Sequence, residues 1–424
     1  MYQTRALGPP FVESASVKGR AMPNGQPEIE WNDELVVDLD EAERVQGKLK
    51  DLNVPSTRHG ESAALRLARL TLDLADPRLP EGPHGPSSDP LDQVIYHVRQ
   101  AFKAEFDDWT PDIGKNRLVG SVVGSPYTGG AAGIPAPQTA GAPARAARGA
   151  VLSGQPMQAG ESLPERKEPG HSQVSVGILD TRLFPHPDLA GRYLASHGTF
   201  VSKSQAAAAR PAGDPSRVTL SHATFIAGVV LDWAPEANLV IGHVLDTHAE
   251  TASSWEVAVK MAAFAAKGVA VLNVSFGAAT GDDEPPLVLS RAVRALREHG
   301  VVVVAAAGNG GPQAKRIWPA ALASVVSVGA GKPVGGGAFE SATFSPLGTW
   351  VDLQAPGEDV YSTYEADEYA SWRGTSFAAA AVSGAIAGIT ATGVGPQEVV
   401  DWLKTPPPAR NHPRIRAVVN NIGP

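Results

Sequence analysis

The chain has 424 residues, of which 43% are hydrophobic and 19% are charged, and its formal net charge is −8. This length allows two or three domains and at least one large core. The negative charge offers no electrostatic footprint for nucleic acid, so we expect no nucleic-acid partner. There is no cysteine, which excludes disulfides, thiolate metal ligands and thiol nucleophiles.

The N-terminal segment lacks the apolar core of a signal peptide. Together with the absence of cysteine this favours a cytoplasmic protein, with export by another route as the alternative. The most apolar long stretch is 377–394, FAAAAVSGAIAGITATGV. It is long enough for a membrane span, but Ala, Gly and Thr dominate it and it contains a serine. We therefore expect a buried core helix and no membrane partner.

Three regions precede the most regular part of the chain. Residues 1–27 are expected to be disordered, and residues 28–110 to form a small α or α/β domain. In that domain ELVVDL predicts a strand, whereas EAERVQGKLKDL, SAALRLARLTLDL and DPLDQVIYHVRQAFKAEFDDW have apolar residues at helical spacing. The last of these begins with an aspartate suited to an N-cap. Residues 111–170 are rich in Gly, Pro and Ala and predict a disordered, protease-sensitive linker.

Residues 171–405 alternate short β-branched runs with helical patterns. The predicted strands are VSVGILD, ANLVIGHVL, VAVLNVSFG, VVVVAAAGN and SVVSVGA, and the helices between them include WEVAVKMAAFAAKG and PPLVLSRAVRALREHG. Strands separated by helices indicate βαβ units, so we expect a doubly wound, mostly parallel sheet with helices on both faces. Functional residues in such folds gather at the carboxyl ends of the strands. Residues 406–424 are interpreted as a C-terminal tail.

Four polar residues stand at predicted strand ends or helix starts: Asp180, His222, Asn309 and Ser376. Each has an ordinary structural explanation, as a turn cap, a core histidine, a turn residue and a helix N-cap. Together they supply what acyl transfer requires. An imidazole can take the proton of a hydroxyl, a carboxylate can orient the imidazole, and an amide can stabilise an oxyanion.

Six segments in order carry a family resemblance: GILDTRLFPHPDL, SHATFIAGVV, VLNVSFG, VVVVAAAGNGG, APGEDVYST and GTSFAAA. Over about residues 172–400 the chain resembles the subtilisin-like serine peptidases, the subtilases, whose triad order is Asp, His, Ser. The resemblance implies a subtilisin-like fold and a serine endopeptidase acting on peptide or protein substrates.

The resemblance also implies a role for each matching residue. Asp180 would orient His222, His222 would act as general base and then acid, Ser376 would attack, and Asn309 would stabilise the oxyanion. Three residues would pair with the bound peptide and three would form one side of the S1 pocket. These are Ser275, Phe276 and Gly277 for pairing, and Ala306, Ala307 and Gly308 for the pocket. Pairing through the backbone would give affinity with little demand on substrate sequence.

Four positions depart from the family pattern: Arg182, Ala223, Phe225 and Ala380 stand where Gly, Gly, His and Pro are usual. Arg182 could crowd its turn or bring a guanidinium near the site. Loss of the proline would relax the first turn of the helix after Ser376. None of the four removes a catalytic group, so we expect an active hydrolase with an altered site.

No cofactor is expected. Many subtilases bind Ca²⁺, but the acidic segment GDDEPP (281–286) is interpreted as a solvated loop and the sequence has no clear calcium site. His243 and His248 are interpreted as surface or loop residues and not as a zinc pair. The N-terminal domain is interpreted either as an inhibitory or chaperone-like propeptide, contacting the rest of the chain, or as an accessory recognition domain.

Three alternatives to a subtilase endopeptidase are open to the sequence. A catalytically inactive binding module would not need the complete set of four polar residues. The second alternative is an acyl-transfer enzyme, in which an amine and not water accepts the acyl group. Ala380 is the only residue that indicates it. The related sedolisin family has Glu in place of the histidine, so His222 argues against it.

Overall fold

The fold was examined in a computed structural model of the protein. The structure describes residues 18–21, 27–75, 77, 79, 89–121, 136–138, 174–195, 221–245, 251–334, 338–364, 369–404 and 419–420. Residues 18–121 of this set form an N-terminal domain, and residues from 174 onward form a C-terminal domain.

The N-terminal domain is an antiparallel sheet with two helices. Its elements are β1 (Lys18–Ala21), β2 (Pro27–Asp38), α1 (Ala42–Asp51), β3 (Ser56–Ser62), β4 (Leu67–Leu72), α2 (Pro90–Glu105) and β5 (Ile113–Ser121). Buried residues of α1 and α2 pack on β2 and β4 to form one hydrophobic core. Helix α2 begins as the sequence predicts, because Asp89 Oδ1 accepts a hydrogen bond from the Leu91 amide at 2.9 Å.

Three expectations for this region differ from the structure. The segment SAALRLARLTLDL is a turn followed by strand β4 and not a helix. The strand pairs with β2 and β3, and its leucines at 67, 70 and 72 are buried in the hydrophobic clusters on the two faces of the sheet. Residues 113–121, placed in the linker by composition, form β5 and pair with β2. The N-terminal domain thus extends to Ser121, and strand β1 lies within the segment expected to be disordered.

The C-terminal domain follows the predicted alternation of strands and helices. Its first half contains β7 (Ser175–Asp180), β8 (Tyr193–Ala195), α3 (His222–Trp233), β9 (Asn238–His243), β10 (Thr251–Ser253), α4 (Ser254–Ala262), β11 (Val271–Val274), β12 (Phe276–Gly277) and α5 (Leu287–Glu298). Its second half contains β13 (Val302–Ala306), β14 (Val325–Val334), β15 (Ala338–Ser341), β16 (Leu353–Pro356), β17 (Val360–Thr363), β18 (Tyr369–Trp372), α6 (Thr375–Thr390), α7 (Pro396–Lys404) and β19 (Val419–Asn420). Before this domain, β6 (Ala136–Gln138) lies within the predicted linker.

The main sheet has the strand order β19-β16-β14-β13-β11-β7-β9-β8, with β15 beside β14. All pairs from β8 to β16 along this order are parallel. One face of the sheet packs on α3, α6 and α7, and the other on α4 and α5. The predicted doubly wound sheet with helices on both faces is therefore confirmed. Strand β19 pairs with β16, so two residues of the predicted tail belong to the sheet.

Helix α6 is the apolar stretch identified in the sequence, and it is a core helix. Fourteen of its residues are buried. Its small residues allow close packing on α3. A Cβ on Gly384 would lie 2.6 Å from Trp233 Cβ and 2.7 Å from the Val230 oxygen, so only glycine fits there. Of the helices in the described part of the chain, none has the length and hydropathy needed to span a bilayer.

Candidate active site

The carboxyl end of β7 and the start of α3 bring Asp180 and His222 together. His222 Nδ1 lies 2.7 Å from Asp180 Oδ1, and both side chains are 0% exposed. The Thr181 amide donates to the same carboxylate oxygen at 2.7 Å. Thr181 Oγ1 in turn accepts a hydrogen bond from the Ala223 amide at 3.1 Å, which ties the first turn of α3 to the end of β7. The pair is therefore held by backbone as well as side-chain contacts.

Ser376 is the second residue of α6, and its carbonyl oxygen is the end of a chain of three hydrogen bonds. Ser383 Oγ donates to Asn273 Oδ1 at 3.0 Å, and Asn273 Nδ2 donates to Ser275 Oγ at 3.1 Å. Ser275 Oγ then donates to the Ser376 carbonyl oxygen at 3.5 Å. Since Asn273 lies on β11 and Ser383 lies two turns along α6, this relay locks the helix start to the end of the central strand.

Several buried polar atoms at this point have no hydrogen-bond partner within the described structure. They are Asp180 Oδ2, Ser221 Oγ, His222 Nε2 and Ser376 Oγ. A buried polar atom left unpaired costs about 1–3 kcal/mol, so four of them gathered at one point need an explanation. Nε2 of His222 and Oγ of Ser376 are the two atoms between which a proton must pass if the serine is to attack.

Asn309, three residues beyond β13, is oriented by Thr375. Its Oδ1 accepts hydrogen bonds from the Thr375 amide at 3.0 Å and from Thr375 Oγ1 at 3.1 Å. Thr375 Oγ1 also accepts one from the Gly308 amide at 3.1 Å. Only the NH₂ group of an asparagine side chain can donate a hydrogen bond. The contacts of Oδ1 with Thr375 fix the orientation of Asn309, so its NH₂ group is the donor available to an oxyanion formed at Ser376.

Two aromatic rings contact His222, and a third packs against both of them. Trp372 and Phe377 each lie 5.6 Å from its ring centroid, and Phe225 contacts both at 5.5 and 4.4 Å. All are at most 3% exposed. Phe225, which replaces the usual second histidine, thus extends an apolar cluster that keeps water from the imidazole. Ala223 and Ala380, two of the other departures, are fully buried within helices α3 and α6.

The strand expected to pair with a substrate is already paired. Phe276 and Gly277 of β12 lie antiparallel to Ser121 and Gly120 of β5. On its other edge β5 pairs with β10, so that Val119 lies opposite Ala252. The N-terminal domain therefore inserts its last strand between two short strands of the C-terminal domain.

The predicted S1 wall lies at the end of β13. Ala306 and Ala307 are fully buried. Gly308 has φ +105°, and a Cβ there would lie 2.5 Å from Ile317 Cδ1, so the position requires glycine. Because the residues of this wall are small, the Gly308 amide can come within 3.1 Å of Thr375 Oγ1.

A buried polar contact anchors the inserted strand. Asn116 of β5 is 0% exposed, and its Oδ1 accepts hydrogen bonds from Ser254 Oγ at 3.0 Å and from the Trp255 amide at 2.9 Å. These donors lie at the N-terminus of α4, where backbone amides lack partners within the helix. Asn116 Nδ2 donates to Glu34 Oε2 at 2.6 Å, which connects this contact to β2.

Three ion pairs, made by two arginines, cross the same domain contact. Arg291 of α5 binds Asp38 at 2.7 Å and Asp112 at 2.5 Å. Arg117 of β5 binds Asp282 at 2.8 Å. The acidic segment 281–286, interpreted from sequence as a solvated loop, thus supplies a partner for the N-terminal domain.

The Arg117–Asp282 pair makes stability depend on pH. Partial burial alone would raise the pKa of Asp282, but Arg117 and a hydrogen bond from the Glu284 amide outweigh it and lower that pKa. A lowered carboxyl pKa stabilises the folded state above its ordinary value near 4, and this contribution is lost as pH falls through the lowered pKa. We expect wild type to exceed Asp282→Asn in free energy of unfolding at pH 6 and the difference to shrink as the pH falls below the ordinary carboxyl pKa and through the lowered one. Urea titrations of both proteins test this, and a difference independent of pH would contradict it.

Arg182 and His243 do not join the Asp180–His222–Ser376 group. Burial, aided by the charges of Lys260 and Arg182, lowers the pKa of His243 to about 4. Lys260 Nζ donates to the His243 carbonyl oxygen at 2.8 Å. His243 is the partly buried last residue of β9 and so is not the surface or loop residue expected, and His248 lies outside the described residues. Within the described ranges no group of His, Asp and Glu side chains is placed to hold a metal ion.

Several residues that shape the site were not found from the sequence. They are Asn116, Thr181, Trp255, Asn273, Trp372, Thr375 and Ser383. Most act through hydrogen bonds to backbone or to another side chain, and such partners are set by tertiary contacts. Thr375, adjacent to Ser376, is the one that the GTS segment itself could have indicated.

The comparisons with known proteins agree with the geometry. The subtilase family model matches residues 171–405. Subtilisin BL of Lederbergia lenta is 35% identical over 226 residues, which are 51% of this chain and 76% of that protein. Thermitase of Thermoactinomyces vulgaris is 32% identical over 228 residues, 52% of this chain and 76% of that protein.

Among solved structures, the chain is similar to fervidolysin from Fervidobacterium pennivorans, a keratinolytic enzyme related to subtilisin. The similar region covers 93% of this chain and 58% of the fervidolysin chain. Its TM-score is 0.56 with 16% identity, so this similarity concerns the fold alone. Because the family model matches more than half of the chain, and relatives above 30% identity are spanned over three quarters of their length, the chain belongs to the subtilase family of serine-type endopeptidases.

Proposed function

We propose that Asp180, His222, Ser376 and Asn309 are the catalytic residues of this endopeptidase and that the N-terminal domain inhibits it by occupying the substrate strand. The observation that carries the catalytic assignment is the 2.7 Å hydrogen bond between the buried Asp180 and His222, with Nε2 of His222 and Oγ of Ser376 left unpaired beside it. The pairing of β5 with β12 and β10 supports the inhibitory role.

In the first half-reaction, His222 Nε2 takes the proton of Ser376 as Oγ bonds to the scissile carbonyl carbon. The carbonyl π electrons move to oxygen, and Asn309 Nδ2 donates to the resulting oxyanion. Asp180 stabilises the imidazolium through Nδ1. The imidazolium then gives its proton to the amide nitrogen, the carbon–nitrogen bond breaks, and the amine leaves an acyl-Ser376 ester.

In the second half-reaction, water replaces the amine. His222 takes a proton from the water as its oxygen bonds to the ester carbon, and the same oxyanion forms. His222 returns the proton to Ser376 Oγ as the carbon–oxygen ester bond breaks, and the acid product leaves. The rings of Trp372, Phe225 and Phe377 keep bulk water away from the imidazole throughout.

The inhibitory role is supported by what β5 buries. Val119 is fully buried and joins the core on the α4–α5 face together with Val36, Leu65 and Leu67. An extended segment paired on both edges occupies the backbone groups that a substrate would need. A substrate must therefore displace β5 before it can reach Ser376.

The test is labelling by a fluorophosphonate probe in wild type and in Val119→Asp. Burying an unpaired carboxylate costs several kcal/mol, so β5 should leave the cleft in the variant. We expect labelling of Ser376 to be at least ~10-fold faster in Val119→Asp, because about 1.4 kcal/mol of lost strand binding corresponds to tenfold. Val119→Thr, which keeps the side-chain shape, is the matched control and should change the rate much less.

Each outcome bears on a different part of the proposal. Equal labelling of wild type and Val119→Asp, with both folded by circular dichroism, would contradict inhibition by β5 and favour an accessory domain. Absence of labelling in all three proteins would contradict the catalytic assignment and favour the inactive binding module.

A further inference from the structure

The side chain of Ile317 lies between two segments that are expected to receive the substrate. A Cβ on Gly277 of β12 would lie 2.2 Å from Ile317 Cγ2. A Cβ on Gly308, just after β13, would lie 2.5 Å from Ile317 Cδ1. Carbon atoms that are not bonded to each other pack at about 3.5–4.0 Å. Ile317 therefore fills the space that side chains at both glycine positions would need.

This space is next to the candidate nucleophile. Residues 275–277 are expected to pair with the peptide, and residues 306–308 to form one side of the S1 pocket. The Gly308 amide donates to Thr375 Oγ1 at 3.1 Å, and Thr375 directly precedes Ser376 in the chain. A substrate side chain that leaves a peptide on β12 beside Ser376 and faces the S1 wall therefore points toward Ile317.

The burial of Ile317 differs from that of a core residue. Ile317 is only 5% exposed, but it belongs to none of the three hydrophobic cores of the described residues. Trp318 and Ala320, which follow it in the chain, do belong to the core on the α4–α5 face. Ile317 is thus buried in the cleft between β12 and the end of β13, and its size limits the room in that cleft.

Hydrogen bonds hold the backbone around Ile317. The Trp318 amide donates to the Ala278 carbonyl oxygen at 3.0 Å, and the Ala278 amide donates to the Trp318 carbonyl oxygen at 3.1 Å. The Ile317 carbonyl oxygen accepts a hydrogen bond from the Ala321 amide at 2.9 Å. Trp318 Nε1 donates to Thr280 Oγ1 at 3.2 Å. The segment is therefore tied to the residues that follow β12, and Ile317 cannot withdraw without breaking these contacts.

The preceding residue, Arg316, adds an ion pair and a ring contact. Its Nε lies 3.0 Å from Asp283 Oδ2, and its Nη2 lies 2.5 Å from the same oxygen. The guanidinium also lies over the Trp318 ring, 5.4 Å from the centroid. A β-branched side chain is stiff at χ1. Because the backbone is held on both sides, Ile317 has little freedom to move aside for a large substrate side chain.

We infer that Ile317 is the floor of the S1 pocket and makes this endopeptidase selective for a small residue, such as alanine or serine, immediately before the scissile bond. The inference rests on the proposed function. A phenylalanine or leucine at that position of the substrate would need the space that Ile317 fills, and forcing extra atoms into a packed site is costly. An alanine needs room for one methyl group only.

The first test compares two chromogenic peptides, succinyl-Ala-Ala-Pro-Ala-p-nitroanilide and its counterpart with Phe before the scissile bond. We expect kcat/KM of the full chain to be at least ~10-fold higher for the alanine peptide, because a single methylene in a pocket already changes this quantity by about 10- to 200-fold. Ile317→Gly should raise kcat/KM for the phenylalanine peptide at least ~10-fold. The ratio of the two values does not depend on how much enzyme the N-terminal domain blocks.

Two further variants control this test. Ile317→Val keeps the branched shape and loses one methyl group, so it should shift the ratio toward the phenylalanine peptide by a smaller factor, even if Ile317→Gly fails to fold. Val293→Ala removes buried atoms from α5 and should leave the ratio as in wild type. A wild-type preference for phenylalanine, or a ratio that neither Ile317 variant changes, would overturn the inference.

A binding measurement separates this inference from the proposed function. The full chain with Ser376→Ala is compared with the same chain carrying Ile317→Gly, and calorimetry gives the affinity of each for the peptide succinyl-Ala-Ala-Pro-Phe. We expect the Ile317→Gly protein to bind this peptide at least ~10-fold more tightly and the peptide ending in alanine about equally. Equal affinity of both proteins for the phenylalanine peptide would overturn the inference. If that difference is found but wild type shows neither hydrolysis nor fluorophosphonate labelling, the catalytic assignment fails and the assignment of Ile317 to the pocket stands.

Discussion

Replacing Ser376 by alanine should lower kcat for peptide hydrolysis by about 10⁶-fold, the loss that removal of the nucleophile causes in subtilisin. Without Oγ no acyl-enzyme can form, and only oxyanion stabilisation and substrate positioning remain. The measurement is hydrolysis of a chromogenic peptide together with fluorophosphonate labelling, which should disappear. Ser290→Ala, which removes a partly buried hydroxyl hydrogen-bonded to the Pro286 carbonyl oxygen on α5, is the control and should keep both signals.

The double variant Ser376→Ala with His222→Ala sharpens this prediction. Because the imidazole acts only through the proton of Oγ, the second change should cost little once the first is made. A further loss of several orders of magnitude in the double variant would mean that His222 activates something other than Ser376, such as a water molecule.

The second large effect concerns Asp180. Asp180→Asn should lower kcat by about 10⁴-fold, as the corresponding change does in a serine protease triad. The carboxylate accepts the proton of His222 Nδ1, which leaves Nε2 free to accept the proton of Ser376. An amide can donate to Nδ1 instead, so that Nε2 carries the proton and cannot act as a base. The measurement is kcat in the variant and in wild type at the same pH.

Asp352→Asn is the matched control for that experiment. Asp352 also accepts a hydrogen bond from a backbone amide, that of Ser327 at 3.0 Å, and pairs with Lys404 at 2.8 Å. Its replacement should affect stability and leave kcat close to that of wild type. A loss below tenfold in Asp180→Asn, with a folded protein, would show that the carboxylate is not needed to orient His222.

A simple geometric reason explains why the candidate catalytic residues lie close together in the fold. Asp180 and Asn309 follow parallel strands of one sheet, and such strands end at the same edge. His222 and Ser376 begin helices α3 and α6, which return to that edge. The hydrogen bonds that orient Asn309 through Thr375 were not predictable, because they depend on how closely β13 and α6 approach each other.

The N-terminal domain shows where pattern fails. SAALRLARLTLDL has apolar residues at helical spacing, yet cross-strand pairing on both sides makes its second half strand β4. Residues 113–121 were assigned to a linker because composition was averaged over a glycine-rich segment that follows them. Pairing with β2, β10 and β12 is a long-range property of the fold, and local composition does not contain it.

Strand β5 belongs to the N-terminal sheet and also pairs with β10 and β12 of the C-terminal domain. It is joined by the chain itself to the domain with which it pairs. A tethered segment competes with free substrates at an effective concentration of about millimolar or more, set by the length and stiffness of the connection. Cutting the chain anywhere between residues 121 and 174 changes no contact of β5, but it turns an intramolecular equilibrium into a bimolecular one. Dilution alone would then favour release, so the same strand would be a strong inhibitor before the cut and a concentration-dependent one afterwards.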